Sequence, residues 1–443
     1  MIDQLLAALS ILGIAATTAD ARIWTVGRSG ADYPMIAAAI AAAEDGDVIE
    51  VQGGVYREHL VIDKRLRIVG IDRPVLRGTG AGTVITIVAD GSELSGFIIE
   101  DSGTGQTNAM DAGIHVASNG NRIAGNLIRR TFYGVVVTNA ARNEIVDNEI
   151  HGFRDLPFGR RGDGIYLYRA PENIVAGNRI TGERDAIYFQ YAPRGQVTNN
   201  VASDSRYGLH DMFSDDTLIV RNEFRDAAVG ANIMNSRRIR FEHNRILRNR
   251  GVPGVGLAIK DCDDSLVRDN TIAENARGLL LDGSSANQFV GNMFRWNDTA
   301  LTLFSSAERN AFGDNVFDGN WSDVVISGRD AGTRWSIDGR GNRWDRYRGF
   351  DFDDDGVGDM PHPVVGAFEQ IEGANPAVRM FLRSPAAAGL ELAARLRGVD
   401  GPAAADDRPL AAATAPPRTN ARPVQASLLL AAAALAITWR RTC

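Results

Sequence analysis

Cysteine is nearly missing from this chain of 443 residues, and its two copies, Cys262 and Cys443, stand far apart. That excludes a disulfide framework and any CxxC-type metal site. A basic surplus is missing too. Net charge is −7, whereas a nucleic-acid partner needs a positive surface to hold phosphates. Long hydrophobic runs occur only at the two ends. Leu5–Thr18 is short and is followed by Ala19-Asp20-Ala21. An apolar core with a small-residue cleavage site reads as an export signal, so 1–21 is the signal and Arg22 the first mature residue. Pro423–Trp439 has no charge over 17 residues and precedes Arg440-Arg441. As a helix it would span ~25 Å, just short of a ~30 Å bilayer core. Residues 424–443 therefore read as a tail anchor or a processed sorting tail, with the bulk of the chain outside the cytoplasm. With six histidines and eight methionines, places where the two meet carry information.

What is abundant is repetition. Asn-x-(Ile/Phe) recurs at Asn126, Asn148, Asn178, Asn222, Asn244, Asn270, Asn292 and Asn315, with Asn200 a weaker copy. Gly-(apolar)-x-(apolar) starts at Gly113, Gly134, Gly164, Ala186, Gly208, Gly230, Gly256, Gly278 and Ala300. Both step mostly by 22 residues and share two insertions, near 153–161 and 250–254. Alternation within each repeat has period two and favours Val and Ile, so the repeats are strands. One such repeat cannot bury its own apolar face; stacked coils can. The fold expected is all-β: a single-stranded right-handed parallel β-helix of about nine to twelve coils. An N-terminal helix (Ile36–Ala43) caps one end. The corner asparagines suit a left-handed backbone and a stacked amide ladder.

The divisions expected are 22–90 for the cap and first coils and 91–330 for the repeats. A C-terminal cap follows at 331–375, then a helical docking segment at 376–397 and a disordered Pro/Ala tether at 398–423. Trp335 and Trp344 should cover the last rung. In the cap, Asp351, Asp353, Asp355 and Asp359 match the front of a calcium loop with Gly356 at its turn, although His362 stands where the closing Glu belongs.

The segment Arg206-Tyr207-Gly208-Leu209-His210-Asp211-Met212-Phe213 concentrates the chemistry. Alternation sends Leu209 and Asp211 inward and His210 and Met212 outward. Met234, 22 residues on, should stack on Met212 about 4.8 Å away. Two thioethers and an imidazole suit Cu(I), so His210, Met212 and Met234 form a candidate metal site. The alternative is an adaptable docking patch. Tyr166, Tyr168, Tyr188 and Tyr191 extend this into an exposed aromatic strip. A charge at Asp211 would be costly inside, so the strand is expected to bulge there. No repeated carboxylate pair is evident on one outer column, which speaks against sugar hydrolysis.

An exported β-helix with Tyr207–Phe213 at its middle, GRGNRWDRY at Gly339–Tyr347, DFDDDGVGD at Asp351–Asp359 and then Ser384-Pro385 resembles the NosD family. The likeness covers about residues 22–397. It implies a periplasmic maturation factor for nitrous oxide reductase, with no chemistry of its own. Such a protein works with an ABC transporter permease and ATPase of the NosY/NosF type. It takes copper from a NosL-like lipoprotein and passes it to the apo reductase for the copper–sulfide centre. The resemblance implies transient Cu(I) at His210, Met212 and Met234; a structural Ca at the Asp-rich loop rests on the spacing of its carboxylates. It gives 376–397 as the transporter contact, with membrane contact through that partner; the apolar tail, outside the likeness, is a second membrane contact by its own composition. The competing classes are a carbohydrate-active β-helix, lyase or C5-epimerase, and an adhesive surface rod.

Overall fold

The computed structural model describes residues 21–104, 110–381, 384–397 and 404–411. Of the expected signal, 1–21, all but the last residue lies outside the described residues, as does the whole expected tail, 424–443. Three parallel sheets run the length of a rod, two of thirteen strands and one of twelve. Each coil visits them in turn. One complete coil is Tyr207–Met212 in sheet 3, Leu218–Val220 in sheet 1 and Glu223–Arg225 in sheet 2. The β-helix class holds, but the coils outnumber the nine to twelve expected. The extra rungs lie before residue 100, where short strands such as Leu60–Ile62, Arg67–Gly70 and Val75–Arg77 stack without the Asn and Gly motifs.

The interior is a single column of Ile, Val, Leu and Phe, most of it fully buried. Ile187, Leu209, Ala231 and Leu257 stack in register through it. Close packing explains the motif glycine. A Cβ on Gly208 would come within 2.5 Å of the Gly230 carbonyl oxygen and 3.0 Å of Phe224.

The asparagines form ladders at the corners, with an outcome that differs from expectation in one respect. Between sheets 1 and 2, Asn126, Asn148, Asn178, Asn200, Asn222, Asn244, Asn270, Asn292, Asn315 and Asn342 are all buried. Each takes the backbone N–H, and in most rungs also the amide, of the rung before onto its own Oδ1, as Asn270 does from Asn244 at 2.7 and 3.1 Å. The left-handed residue is the one before each ladder position, such as Asp147, Arg221, His243 and Asp269 with φ near 54–57°. The asparagine itself must face inward to reach its neighbours, so the turn falls on the preceding residue.

Helix α1 (Ile36–Ala42) buries Ile36, Ala39 and Ile40 over the first coil. At the other end Phe312 stacks on Trp335 and Phe317 on Trp344, centroids 5.1 and 4.1 Å apart, as expected. A helix absent from the expected plan, α2 (Ala367–Ala374), closes the last sheet-3 strand, with Ser322 donating to Glu372 at 3.1 Å. The segment expected to dock a partner, 376–397, is a 3-10 turn, Pro376–Phe381, followed by α3 (Pro385–Arg397). The disordered tether at 398–423 needs correcting. Ala405–Asp406 pairs antiparallel with His362–Pro363, and buried Asp406 caps the Asn ladder. It accepts from the Asn342 backbone N–H at 2.7 Å and from the Trp344 indole at 3.0 Å. A buried ladder end needs an acceptor, and Asp406 supplies it.

Candidate metal centre

The register of Tyr207–Met212 with its two neighbours fixes the site. Met212 pairs with Met234, and His210 lies between Tyr188 and Asn232. The strand is regular and there is no bulge. Asp211 points into the rod, fully buried, and accepts a 3.3 Å hydrogen bond from Ser236. Burial pushes its carboxyl up to about 8. Neutralisation, rather than a bulge, is how the strand tolerates it.

His210 is outward-facing yet 8% exposed. Tyr188 stacks flat on it at 4.4 Å, and Tyr207 meets it edge-on at 4.9 Å. The expected exposed strip is thus largely a self-covered stack. Tyr133, Tyr166, Tyr188 and His210 follow one another at 5.9, 5.0 and 4.4 Å. Only Tyr191 and Phe213, stacked at 4.9 Å, stand well out from it.

The imidazole Nδ1 lies 3.0 Å from Asp185 Oδ2. Arg206 also grips Asp185 with two hydrogen bonds, 2.9 and 2.7 Å long. Burial alone would raise the Asp185 carboxyl, but the hydrogen bonds from His210 and Arg206 outweigh it and hold it lowered. An ionised carboxylate can only accept, so Nδ1 carries the hydrogen, and in the neutral ring Nε2 then presents its lone pair. Nε2 is buried and has no hydrogen-bond partner. Both thioethers turn toward this column. Tyr188 Oη reaches Met212 Sδ at 3.5 Å, and Asn232 Nδ2 reaches Met234 Sδ at 3.2 Å. One sulfur therefore contacts the side chain on each side of His210.

The sequence reading missed a carboxylate column. Asp163 and Asp185 occupy equivalent positions on adjacent rungs, just before the motif glycine or alanine. Arg184 holds Asp163 through two bonds of 2.9 and 2.6 Å, as Arg206 holds Asp185. Burial, and then the charge on Asp185, push Asp163 up to about 6. The signal available was the repeated Asp-x₂₀-Arg spacing, which puts each guanidinium one rung from its carboxylate.

The acidic loop is partly assembled. Asp351, Asp353 and Asp359 bring one oxygen each within 4.8 Å of one another. Asp355 stands outside that group, its carboxylate accepting from the Val357 N–H at 2.7 Å. His362 stacks on Trp344 at 5.0 Å; it packs in the cap and does not take the place of the closing ligand.

The sequence model of the family described as "Periplasmic copper-binding protein (NosD)" matches residues 147–349, which contain His210, Met212 and Met234. A "Probable ABC transporter binding protein NosD" of Pseudomonas aeruginosa is 29% identical over 346 residues, 75% of this chain and 80% of its own length. A protein of the same name from Stutzerimonas stutzeri is 26% identical over 350 residues, covering 75% and 79%. Among solved structures, the catalytic unit of a GH87 α-1,3-glucanase from Streptomyces thermodiastaticus superposes with a TM-score of 0.55. It is 17% identical, with 70% of this chain and 65% of that one covered. An alginate lyase, AlyF-OU02, gives 0.53 at 14% identity, covering 74% and 89%. These two share the fold, and their activities do not transfer at such identity. The family match across the central coils, the two relatives that share its name and the β-helix itself point one way: over its central coils the chain is similar to the NosD family of periplasmic copper-binding proteins.

Proposed function

We propose that this chain is a periplasmic copper scaffold that works with an ABC transporter and delivers Cu(I) to apo nitrous oxide reductase during assembly of its copper–sulfide centre. Copper is its cargo, and His210, Met212 and Met234 are the ligands. The observation that carries this reading is the unpartnered, buried Nε2 of His210, aligned by Asp185, with a thioether on the side chain at each side of the ring, Tyr188 and Asn232. A buried ring nitrogen without a partner costs free energy unless something binds it. A carboxylate behind the distal nitrogen is the usual support for a metal-bound histidine. Soft sulfur ligands select Cu(I) over harder ions, and flexible methionines can release it. The names of the relatives support a transporter partner. In this reading α3 and the segment before it supply the contact, and a lipoprotein of the NosL type is the donor.

Against polysaccharide chemistry stands the state of Asp163 and Asp185. Each is held by both donors of one guanidinium, so neither is free to give or take a proton at a sugar. The test is anaerobic Cu(I) titration of the mature chain, residues 22–443, against a competing chelator. Wild type should take up one Cu(I) tightly, and Met212→Ala/Met234→Ala should not. Equal uptake by both proteins would refute the ligand set. No uptake by either would leave the strip as a docking face and move copper capture to a partner.

A further inference from the structure

The corner between sheets 2 and 3 is where the coil leaves the rod. Its turn is short at 130–132 and long on the next coil, at 152–164. A short turn beside a long one makes a notch. The structure has a cleft of about 380 Å³ there, with Arg57, Asp101, Arg130 and Phe153 among its lining.

Two guanidiniums line the notch, Arg57 and Arg130, and carboxylates hold the second in place. Glu100 is fully buried and accepts from three arginines: Arg77 at 2.6 Å, Arg129 at 3.0 Å and Arg130 at 2.7 Å. Arg130 also bonds Asp101 at 2.7 Å. The arginines outweigh burial at Glu100 and keep it lowered; Arg130 does the same for Asp101. Both carboxylates are therefore committed as counter-ions. Arg57 lines the same cleft, exposed, and no hydrogen bond to its guanidinium occurs among the described residues. Counting also Asp111, buried behind Gly103, the guanidiniums outnumber the carboxylates here, on a chain whose net charge is −7. Hydroxyls from Thr79, Ser102 and Thr104 complete the lining.

We infer that this notch is a second binding site, separate from the metal centre, that takes an oxyanion: a carboxylate, sulfate or phosphate group. Guanidinium forks match such groups through paired hydrogen bonds. A preset array loses little freedom on binding. Arg57 is the free fork, Arg130 the oriented one, and Phe153 gives an apolar wall against which a ring carrying the anion can lie. The volume exceeds what a bare ion fills, which favours an anion carried on a larger molecule, such as an acidic sugar.

The test uses the mature chain and two probes, sodium sulfate and a short oligogalacturonate, titrated calorimetrically at fixed ionic strength. Saturable binding of either probe, weakened about tenfold or more by Arg57→Ala, supports the site. Arg130→Lys keeps the charge but loses the fork, and should weaken binding as well. Sulfate alone sufficing identifies a free ion as the ligand; binding of the oligosaccharide only identifies an anion carried on a glycan. No saturable binding of either probe, or equal binding by Arg57→Ala, overturns the inference. Because Arg57 is exposed, an unchanged melting temperature and Cu(I) titration in that variant will separate this site from the metal centre.

Discussion

One corner of the rod is built in two ways. In the later coils, the corner between sheets 2 and 3 carries Asn249, Asn275, Asn297 and Asn320, each bonded to the next. In the earlier coils the same corner carries Ser102, Thr131, Glu183 and Ser205. Glu183 is buried with neither oxygen hydrogen-bonded, and burial raises its pKa well above the usual range. The later corner closes every polar group and does nothing else. The earlier one gives up that closure, and there the long turns, the oxyanion notch and the Asp163–Asp185 column gather. Sites that break a local rule are where function is expected.

The largest effect should come from breaking the regular half. Asn275 donates to Ile246 O at 3.0 Å and to Asn297 at 3.1 Å, and accepts twice from Asn249. Asn275→Ala strands these partners in the interior. It should cost about 3–5 kcal/mol, since each buried unsatisfied group costs about 1–3 kcal/mol. Urea unfolding measures this; a loss below about 1 kcal/mol would mean the ladder is dispensable.

Asp211 belongs with the irregular half, and its effect should be smaller and of opposite sign. A carboxyl whose folded pKa is raised binds its proton more tightly when folded. Its contribution is fully present below about pH 4 and is lost as pH rises toward about 8. Asp211→Asn keeps the shape without the titration. It should leave stability nearly unchanged at pH 4 and raise it by about 2 kcal/mol at pH 5.5. A gain that is the same at both pH values would show that Asp211 is ionised in the fold.

These two residues also show what the sequence made legible. The 22-residue step displayed the coils, the ladder and the pairing of Met212 with Met234, because stacking in register turns spacing directly into neighbours. It also placed Asp211 inside. It did not disclose that His210 is covered, since that depends on how the long rings of Tyr188 and Tyr207 lie. Nor did it disclose that Asp185, one coil away, bonds His210. That carboxylate sits at the start of its strand, before the alternation begins, and its meaning comes from Arg206 and His210 on the next rung. Asp406 was hidden for another reason: a Pro/Ala-rich context gives no periodicity, and one buried carboxylate is enough to seat the segment.

Asp185→Asn tests the support behind the metal centre. Arg206 is partly exposed and can turn to water, so the stability cost should be modest, about 1–2 kcal/mol. The effect on Cu(I) should exceed it, about 10–100-fold in affinity, the usual loss when a supporting carboxylate is removed. Nitrogen-15 shifts of His210 supply an independent readout. The wild-type ring should hold its hydrogen on Nδ1, and the variant should redistribute it. An unchanged tautomer with weakened copper binding would mean that Asp185 acts through charge alone.

The smallest effect on folding is expected where the functional effect is greatest. Met212 and Met234 are half-buried, with no packing role in the inward column. Leucine conserves their volume, and such swaps usually cost less than about 1.5 kcal/mol. Met212→Leu/Met234→Leu should therefore melt within about 1–2 °C of wild type while losing Cu(I). If the double variant instead unfolds several degrees lower, the thioethers are structural, and the unpartnered Nε2 of His210 must await a ligand from outside the chain. If it melts as wild type and still binds Cu(I), sulfur is not the donor. The contrast between a self-satisfied half and a half left open for ligands would then rest on His210 and the arginine–aspartate column alone.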